Sequence, residues 1–447
     1  MFFPFPTTPV DGDGGCRIDH PVLGTGYELN SQAREVLELC DGRRTWEEVL
    51  QQLNRRYRLG IVELDRRCRT VLTPLEGDGL LWRRQERMQP GPADPPKFVL
   101  WNLTDRCNHR CRHCVVNATR PLAGELSTAE AFDLLDQLAA FAVESLVLSG
   151  GEPLLRQDFL EIARRARRNG MNFQVATNAT RVTERLADEL VALQATTQVS
   201  LDGSTPAIHD GFRRASGGWS RTIRGVERLK RAGISVMLAA TVTRHNAHDI
   251  PDLYRLAGNL GVDVFRILPF VPFGRGARAQ ALEVTPARMH WITRWLHEQQ
   301  AAGGLRVAPM EFQCTFGPPP PLALAEASSL RIGCDGAVAY CTVTSTGDVL
   351  PCNFFAGVRV HNLHDHPFAW IWEHCDFLRY FRSLKVSDLH GACHCCDWLG
   401  SCRGSCIASN FVHGDIFQSN CHCWHARTLE REERRERRQQ RKRRAGD

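Results

Sequence analysis

The sequence predicts an α/β chain whose centre is a parallel sheet wrapped by helices. Three observations predict it. From residue 98 to about residue 300, short apolar runs alternate with amphipathic stretches, the pattern of repeated strand–helix units. Proline-rich junctions at 86–97 and 317–320 set off what comes before and after. The 18 cysteines are also unevenly placed: three crowd behind the first apolar run, and most others lie beyond residue 330. The 447 residues then divide into a small unit at 1–85, a linker at 86–97, the alternating core at 98–310, a cysteine-rich unit at 311–425 and a charged tail at 426–447.

The first unit begins with a short extended piece, G-Y-E-L. Asn30 or Ser31 caps a helix whose apolar face is Ala33, Val36, Leu37 and Leu39, and Gly42 ends it. Thr45 caps a second helix with Trp46, Val49, Leu50 and Leu53 at helical spacing. A third spans 62–75 and stops at Gly77-Asp78-Gly79, before Leu80-Leu81-Trp82. In the core, strands are expected at 98–103, 145–149, 172–176, 196–201, 234–242 and 264–268. Helices fall between them: Ser127 caps one running to 141, another ends at 168, and others cover 219–232, 249–260 and 285–300. The tail is Arg- and Glu-rich, a solvated charged helix at most.

Net charge is only +6, which calls for no nucleic-acid partner. No apolar run is long enough to span a bilayer, so no membrane partner is expected. The start M-F-F-P-F-P-T-T-P has neither the basic nor the sustained apolar region of a secretion signal. A cytoplasmic location follows, where thiols stay reduced and available to metal.

Cys107, Cys111 and Cys114 stand in N-L-T-D-R-C-N-H-R-C-R-H-C at the end of the first core strand. Three thiolates in C-x3-C-x2-C can hold three irons of a [4Fe–4S] cube and leave the fourth iron open to a small molecule. The stretch resembles the radical S-adenosylmethionine (radical SAM) signature, in which the open iron chelates the methionine end of SAM. That resemblance implies a partial (β/α)6 barrel with its chemistry on the loops after the strands, and it sets His113 near the adenine. Leu148-Ser149-Gly150-Gly151-Glu152-Pro153 after the second strand matches the family's G-G-E-P motif, implying that backbone carbonyls and Glu152 hold the SAM amino group. Glycines there let the backbone approach a ligand closely. Thr177-Asn178 and Ser200-Leu201-Asp202-Gly203 resemble two further family motifs; Asn178 and Ser200 are the expected SAM contacts, with Asp202 capping its loop. His209-Asp210 with Arg213 resembles an H-D-x-x-R segment. Arg213 then pairs with the SAM carboxylate, or forms a surface salt bridge.

The remaining cysteines resemble the seven-cysteine SPASM pattern, whose domain holds two auxiliary iron–sulfur clusters, expected here as [4Fe–4S]. By position the first takes Cys334, Cys352 and Cys406, with Cys341 where some members supply a fourth ligand. The second takes Cys393, Cys396, Cys402 and Cys423, the last preferred to Cys421. A zinc ribbon also accounts for paired cysteines, though a radical SAM barrel upstream favours iron. Cys16, Cys40, Cys68, Cys314, Cys375, Cys395 and Cys421 are left over, most of them expected as buried small apolar residues. Sulfatase-maturing members place an aspartate base after the cysteine equivalent to Cys352. Asn353 stands here, and an amide cannot accept a proton as a carboxylate does.

Residues 1–85 resemble the PqqD-like leader-peptide recognition element, a winged-helix fold. Together these resemblances imply an enzyme that cleaves SAM reductively and modifies a ribosomally made precursor peptide, with a flavodoxin or ferredoxin as electron donor. The run from W-N-L-T-D-R-C-N through L-S-G-G-E-P-L-L-R also resembles radical SAM enzymes that alter haem and haem d1 side chains. An iron–sulfur electron-transfer protein is the non-enzymatic alternative.

Overall fold

The computed structural model describes residues 2–4, 7–9, 15–19, 26–40, 44–77, 81–83, 93–308, 330–356, 358, 360–412, 416–420 and 422–431. The 317–320 junction, most of the 86–97 linker and of the tail, Cys314 and Cys421 lie outside them.

The first unit has five short strands: β1 (Phe2–Pro4), β2 (Thr7–Pro9), β3 (Cys16–Asp19), β4 (Gly26–Leu29) and β5 (Leu81–Arg83). β1 pairs with β5, and β2, β3 and β4 form an antiparallel sheet in that order. Three helices follow β4: α1 (Ser31–Leu39), α2 (Trp46–Tyr57) and α3 (Ile61–Gly77). Asn30 caps α1 by accepting the Ala33 N–H, and Thr45 with Glu48 forms a reciprocal capping box on α2. Val36, Leu37, Val49, Leu50, Leu53, Leu64 and Leu72 are buried between them. Among the described residues β4 has a strand on one side only. A groove of about 340 Å³ runs between β4, α1 and α3, lined by Leu29, Ala33, Val36, Leu53 and Tyr57.

The core is a parallel sheet: β6 (Phe98–Thr104), β7 (Ser145–Gly150), β8 (Asn172–Thr177), β9 (Thr196–Ser200), β10 (Val236–Val242) and β11 (Val264–Pro269), neighbours in chain order. The expected strands thus form, with ends shifted by at most two residues. Their inward rows, such as Val99, Trp101 and Leu103 on β6, are fully buried, as a sheet covered by helices requires. The helices α4 (Thr128–Ala140), α5 (Phe159–Arg168), α6 (Glu184–Ala192), α7 (Pro206–Arg213), α8 (Gly218–Arg231), α9 (Ile250–Asn259) and α10 (Pro286–Ala301) cross between strands or follow the last. On α5 the buried side chains Phe159, Ile162, Ala163 and Ala166 recur at helical spacing, while its arginines face out.

The cysteine-rich unit is not separate from this sheet. Its β12 (Tyr340–Val343) lies parallel beside β6, with Tyr340 opposite Phe98 and Val343 opposite Trp101, and β13 (Val349–Leu350) pairs antiparallel with β12. The turn after β12 ties down the cysteine loop: Ser345 Oγ donates to Asp105, and the Leu126 N–H donates to Ser345 O at 2.8 Å. Two helices, α11 (Phe368–His374) and α12 (Asp376–Ser383), pack behind with Phe368, Trp372, Phe377 and Phe381 buried.

Candidate active site

The three cysteines leave the C-terminal end of β6, where a parallel sheet carries its chemistry. All three are half-buried. Their loop is held on several sides. The Gly151 and Glu152 N–H groups donate to Thr104 O and Arg106 O at 2.7 and 2.8 Å. The Arg110 and Arg112 N–H groups donate to Arg213 O and Phe212 O on α7 at 3.2 and 3.1 Å. From beyond β11, the Arg275 guanidinium donates to Cys111 O at 2.9 Å and Ala118 O at 2.7 Å, and its N–H donates to Cys114 O at 2.9 Å. Arg275 was missed in the sequence; the flanking G-R-G after the last strand was the available signal.

The glycines of G-G-E-P act differently from expectation. A Cβ on Gly151 would lie 2.3 Å from Arg106 O, and one on Gly150 would lie 2.6 Å from Thr104 O. What they approach closely is the backbone of the cysteine loop. Glu152 also has a structural part. Its carboxylate, fully buried, accepts from Thr177 Oγ1 at 2.6 Å, the Asn178 N–H at 2.7 Å and the Leu154 N–H at 3.2 Å. Burial raises its pKa against those donors. Protein donors therefore take most of the carboxylate's capacity, and Glu152 pins the end of β8 to the end of β7. Asn178 continues the chain of contacts, donating to Asn108 Oδ1 at 2.8 Å, inside the cysteine loop. Ser200 ends β9 half-buried, and its hydroxyl has no protein partner among the described residues.

Arg213 forms no surface salt bridge. It is buried on α7 and donates through Nε to Asp202 Oδ2 at 2.6 Å. Asp202 does more than cap a loop: it is fully buried, accepts the Thr241 N–H at 2.8 Å and lies 3.5 Å from His113 Nε2. Burial alone would raise its pKa, but Arg213 and the neighbouring histidines bring it down to about 2. Arg213 is held above its ordinary value against the cost of burial by Asp202. Three histidines complete the cluster. His113 stacks on Phe212, ring centroids 4.3 Å apart. His209 Nδ1 accepts the Asp202 N–H at 3.2 Å. Burial, then the Arg213 charge, pushes His109 and His209 each down to about 3; burial also lowers His113 to about 4. All three are thus neutral at ordinary pH. His209 lies in the H-D-x-x-R segment, but its acceptor role, like the burial of His109, appears only in the fold.

In the C-terminal unit two groups of thiols lie near enough to influence one another's ionisation. Cys352 is raised by burial and by the nearby Cys334 and Cys406. Burial, then Cys423, Cys393 and Cys396, pushes Cys402 up to about 12. Cys341 stands apart from the first set: it is fully buried on β12, and its charged neighbour is Arg382, which lies over Trp372. The alternation of β12 aims this side chain into the sheet's packing, against the expected fourth ligand. Asn353, just after Cys352, accepts from Asn102 Nδ2 at 2.8 Å.

Residues 101–257 match the family model of the radical SAM superfamily. The AdoMet-dependent heme synthase of Methanosarcina barkeri is 32% identical over 74% of this chain and 97% of its own length. The chain belongs to the radical SAM superfamily. Residues 15–81 match the model for coenzyme PQQ synthesis protein D, and 325–397 that for the SPASM iron–sulfur cluster-binding domain. The mycofactocin maturase MftC of Mycolicibacterium smegmatis is 31% identical over 78% of this chain and 88% of its own. Streptococcus suis SuiB, in a crystal structure with its precursor peptide SuiA, shares the fold at a TM-score of 0.62 and 15% identity, over 92% of this chain and 96% of its own.

This radical SAM enzyme has side chains that fit the groups its family uses. Three half-buried thiols share one loop, and the His109 N–H points at Cys107 Sγ from 3.4 Å, the kind of donor that tunes a cluster's potential. The buried ring nitrogens of His109 and the Nδ1 of His113 have no protein partner. No helix among the described residues is long and apolar enough to cross a membrane.

Proposed function

We propose that this radical SAM enzyme modifies a ribosomally made precursor peptide, docked on residues 1–85 and processed at the C-terminal end of the barrel. Cys107, Cys111 and Cys114 would hold a [4Fe–4S] cluster, which would supply the electron for reductive cleavage of SAM and so the means to activate a C–H bond of the substrate. The chain's own residues orient and shield. Arg275, Gly151 and α7 fix the cysteine loop, Asn178 braces it through Asn108, and Ser200 and Asn178 are the SAM contacts of this reading. Cys334, Cys352 and Cys406 form one auxiliary ligand set, and Cys393, Cys396, Cys402 and Cys423 the other. The division at 85/86, 97/98, 310/311 and 425/426, a flavodoxin or ferredoxin donor, and a cytoplasmic location complete the reading.

The observation that carries the peptide assignment is the groove beside β4. With a strand on one side only among the described residues, β4 can take a peptide as an added strand, and the apolar lining from Leu29, Val36, Leu53 and Tyr57 supplies pockets for alternate side chains. Leu59, Ile61 and Val62 extend apolar surface from the same end of α3. MftC is a maturase by name, and SuiB has been crystallised with its precursor peptide SuiA. The test compares the full chain with one lacking residues 1–85, using the peptide encoded beside this gene. Deletion is expected to abolish tight binding and processing while SAM cleavage without peptide persists, because every SAM contact named lies beyond Trp101. If the intact chain binds no peptide, and both forms turn over a porphyrin equally, the tetrapyrrole reading suggested by the heme synthase relatives replaces this one.

A further inference from the structure

Asn102 and Asn353 meet where the barrel joins the cysteine-rich unit. Asn102 stands on β6, five positions before Cys107; Asn353 directly follows Cys352. One hydrogen bond links them, Asn102 Nδ2 to Asn353 Oδ1 at 2.8 Å, across 251 positions of chain. Asn102 is 5% exposed, and its own Oδ1 is buried with no partner. Buried acceptors are nearly always satisfied, so one left open beside a reaction site asks for a ligand. Asn353 is half-buried, and its Nδ2 donates to nothing among the described residues.

The linked pair therefore presents one free acceptor and one free donor together. Turning both carboxamides over exchanges the two roles and leaves the same offer, so the result does not depend on which amide atom is oxygen. An amide, –CO–NH–, is the matching partner, with one donor and one acceptor. An ionised carboxylate has acceptors alone and would leave the Asn102 oxygen unpaired. We propose that Asn102 and Asn353 are a positioning pair that clamps one amide of the peptide substrate between the cysteine loop and the Cys334/Cys352/Cys406 set. This rests on the peptide reading and adds how the substrate is held at the point of reaction. It also gives Asn353 a use that an aspartate could not fill: a carboxylate there would face the substrate's carbonyl oxygen with another acceptor.

Asn353→Asp separates this from a structural role, because it keeps an acceptor for Asn102 Nδ2 and removes only the free donor. With the synthetic precursor peptide, kcat/KM for modification is expected to fall at least tenfold in this variant. The 5′-deoxyadenosine formed per modified peptide rises, while iron content and leader affinity match the unaltered chain. Asn353→Ala, which loses both atoms, should fall at least as far. N-methylating peptide bonds around the modified residue tests a backbone amide; exchanging nearby Asn and Gln of the peptide for Ala tests a side-chain one. The unaltered chain should lose coupling with one set of peptides. If it modifies peptide and Asn353→Asp does so with unchanged kcat/KM and coupling, the clamp is wrong and the peptide reading stands. If the unaltered chain accepts only a tetrapyrrole, whose side chains end in carboxylates, both are wrong.

Discussion

His209 shows how one buried side chain connects folding to pH. It is fully buried, held near a pKa of about 3, and accepts the Asp202 N–H, so the folded chain keeps it neutral. An unfolded chain protonates it near pH 6.5. The unfolded state thus binds the extra proton, and stability rises with pH across this window. The His209 contribution is fully present above about pH 6.5 and shrinks as pH falls toward the folded value, by about 1.4 kcal/mol per pH unit. His209→Asn retains an acceptor for Asp202 but does not titrate. Urea midpoints measured at pH 7, 6 and 5 should fall less steeply for this variant than for the unaltered chain. Parallel curves would remove His209 from the account. The Asp202–Arg213 pair adds a second loss of the same sign in a lower window: Asp202, depressed to about 2, loses its contribution only when pH falls from about 4 toward that value.

Among the elements, the second βα turn packs backbone against backbone. Gly151→Ala would put a Cβ 2.3 Å from Arg106 O, backbone against backbone, with no side chain free to swing aside. The turn must separate from the cysteine loop, taking two hydrogen bonds with it. SAM cleavage is expected to drop more than tenfold and the reconstituted protein to lack one cluster, with the auxiliary irons retained; full cleavage activity would show that the two loops need not touch. The strands around this turn were legible because apolar residues recur at strand spacing between caps such as Ser127 and Thr285. The three cysteines were legible because their spacing carries iron chemistry, and G-G-E-P because it resembles the family's motif one strand later. Arg275 was not: a lone arginine has no periodicity, and its three bonds to the loop exist only once β11 lies in place. Nor was the structural part of Glu152, since the Thr177 and Asn178 donors it accepts from are brought to it by the fold.

At the scale of the molecule, the cysteine-rich unit is assembled from far apart. Cys334, Cys352 and Cys406 converge, while Cys341, only seven positions past Cys334, is carried off by β12 into the sheet. Iron analysis of anaerobically reconstituted variants checks this. Cys341→Ala should keep the iron of the unaltered chain, whereas Cys406→Ala should lose one cluster, about four irons if it is a cube. Equal losses would return Cys341 to the ligand set. The family resemblance suggested Cys341 by its place along the chain; the parallel pairing of β12 with β6 is non-local and leaves no mark in either segment.

That pairing has a consequence for how the protein is made. Phe98 and Tyr340 face each other 242 positions apart, the difference of their numbers. At ~5–20 residues per second, a ribosome needs about 12–50 s to deliver β12 after β6 has emerged. Throughout that interval the nascent barrel has an uncovered flank, a row of unpaired backbone groups with Val99 and Trp101 close by, open to any passing strand. The enzyme's last third thus acts on its first barrel strand as a late-arriving guard. Ribosome-bound chains stalled before residue 340 should recruit holdase chaperones that chains released after residue 350 no longer need.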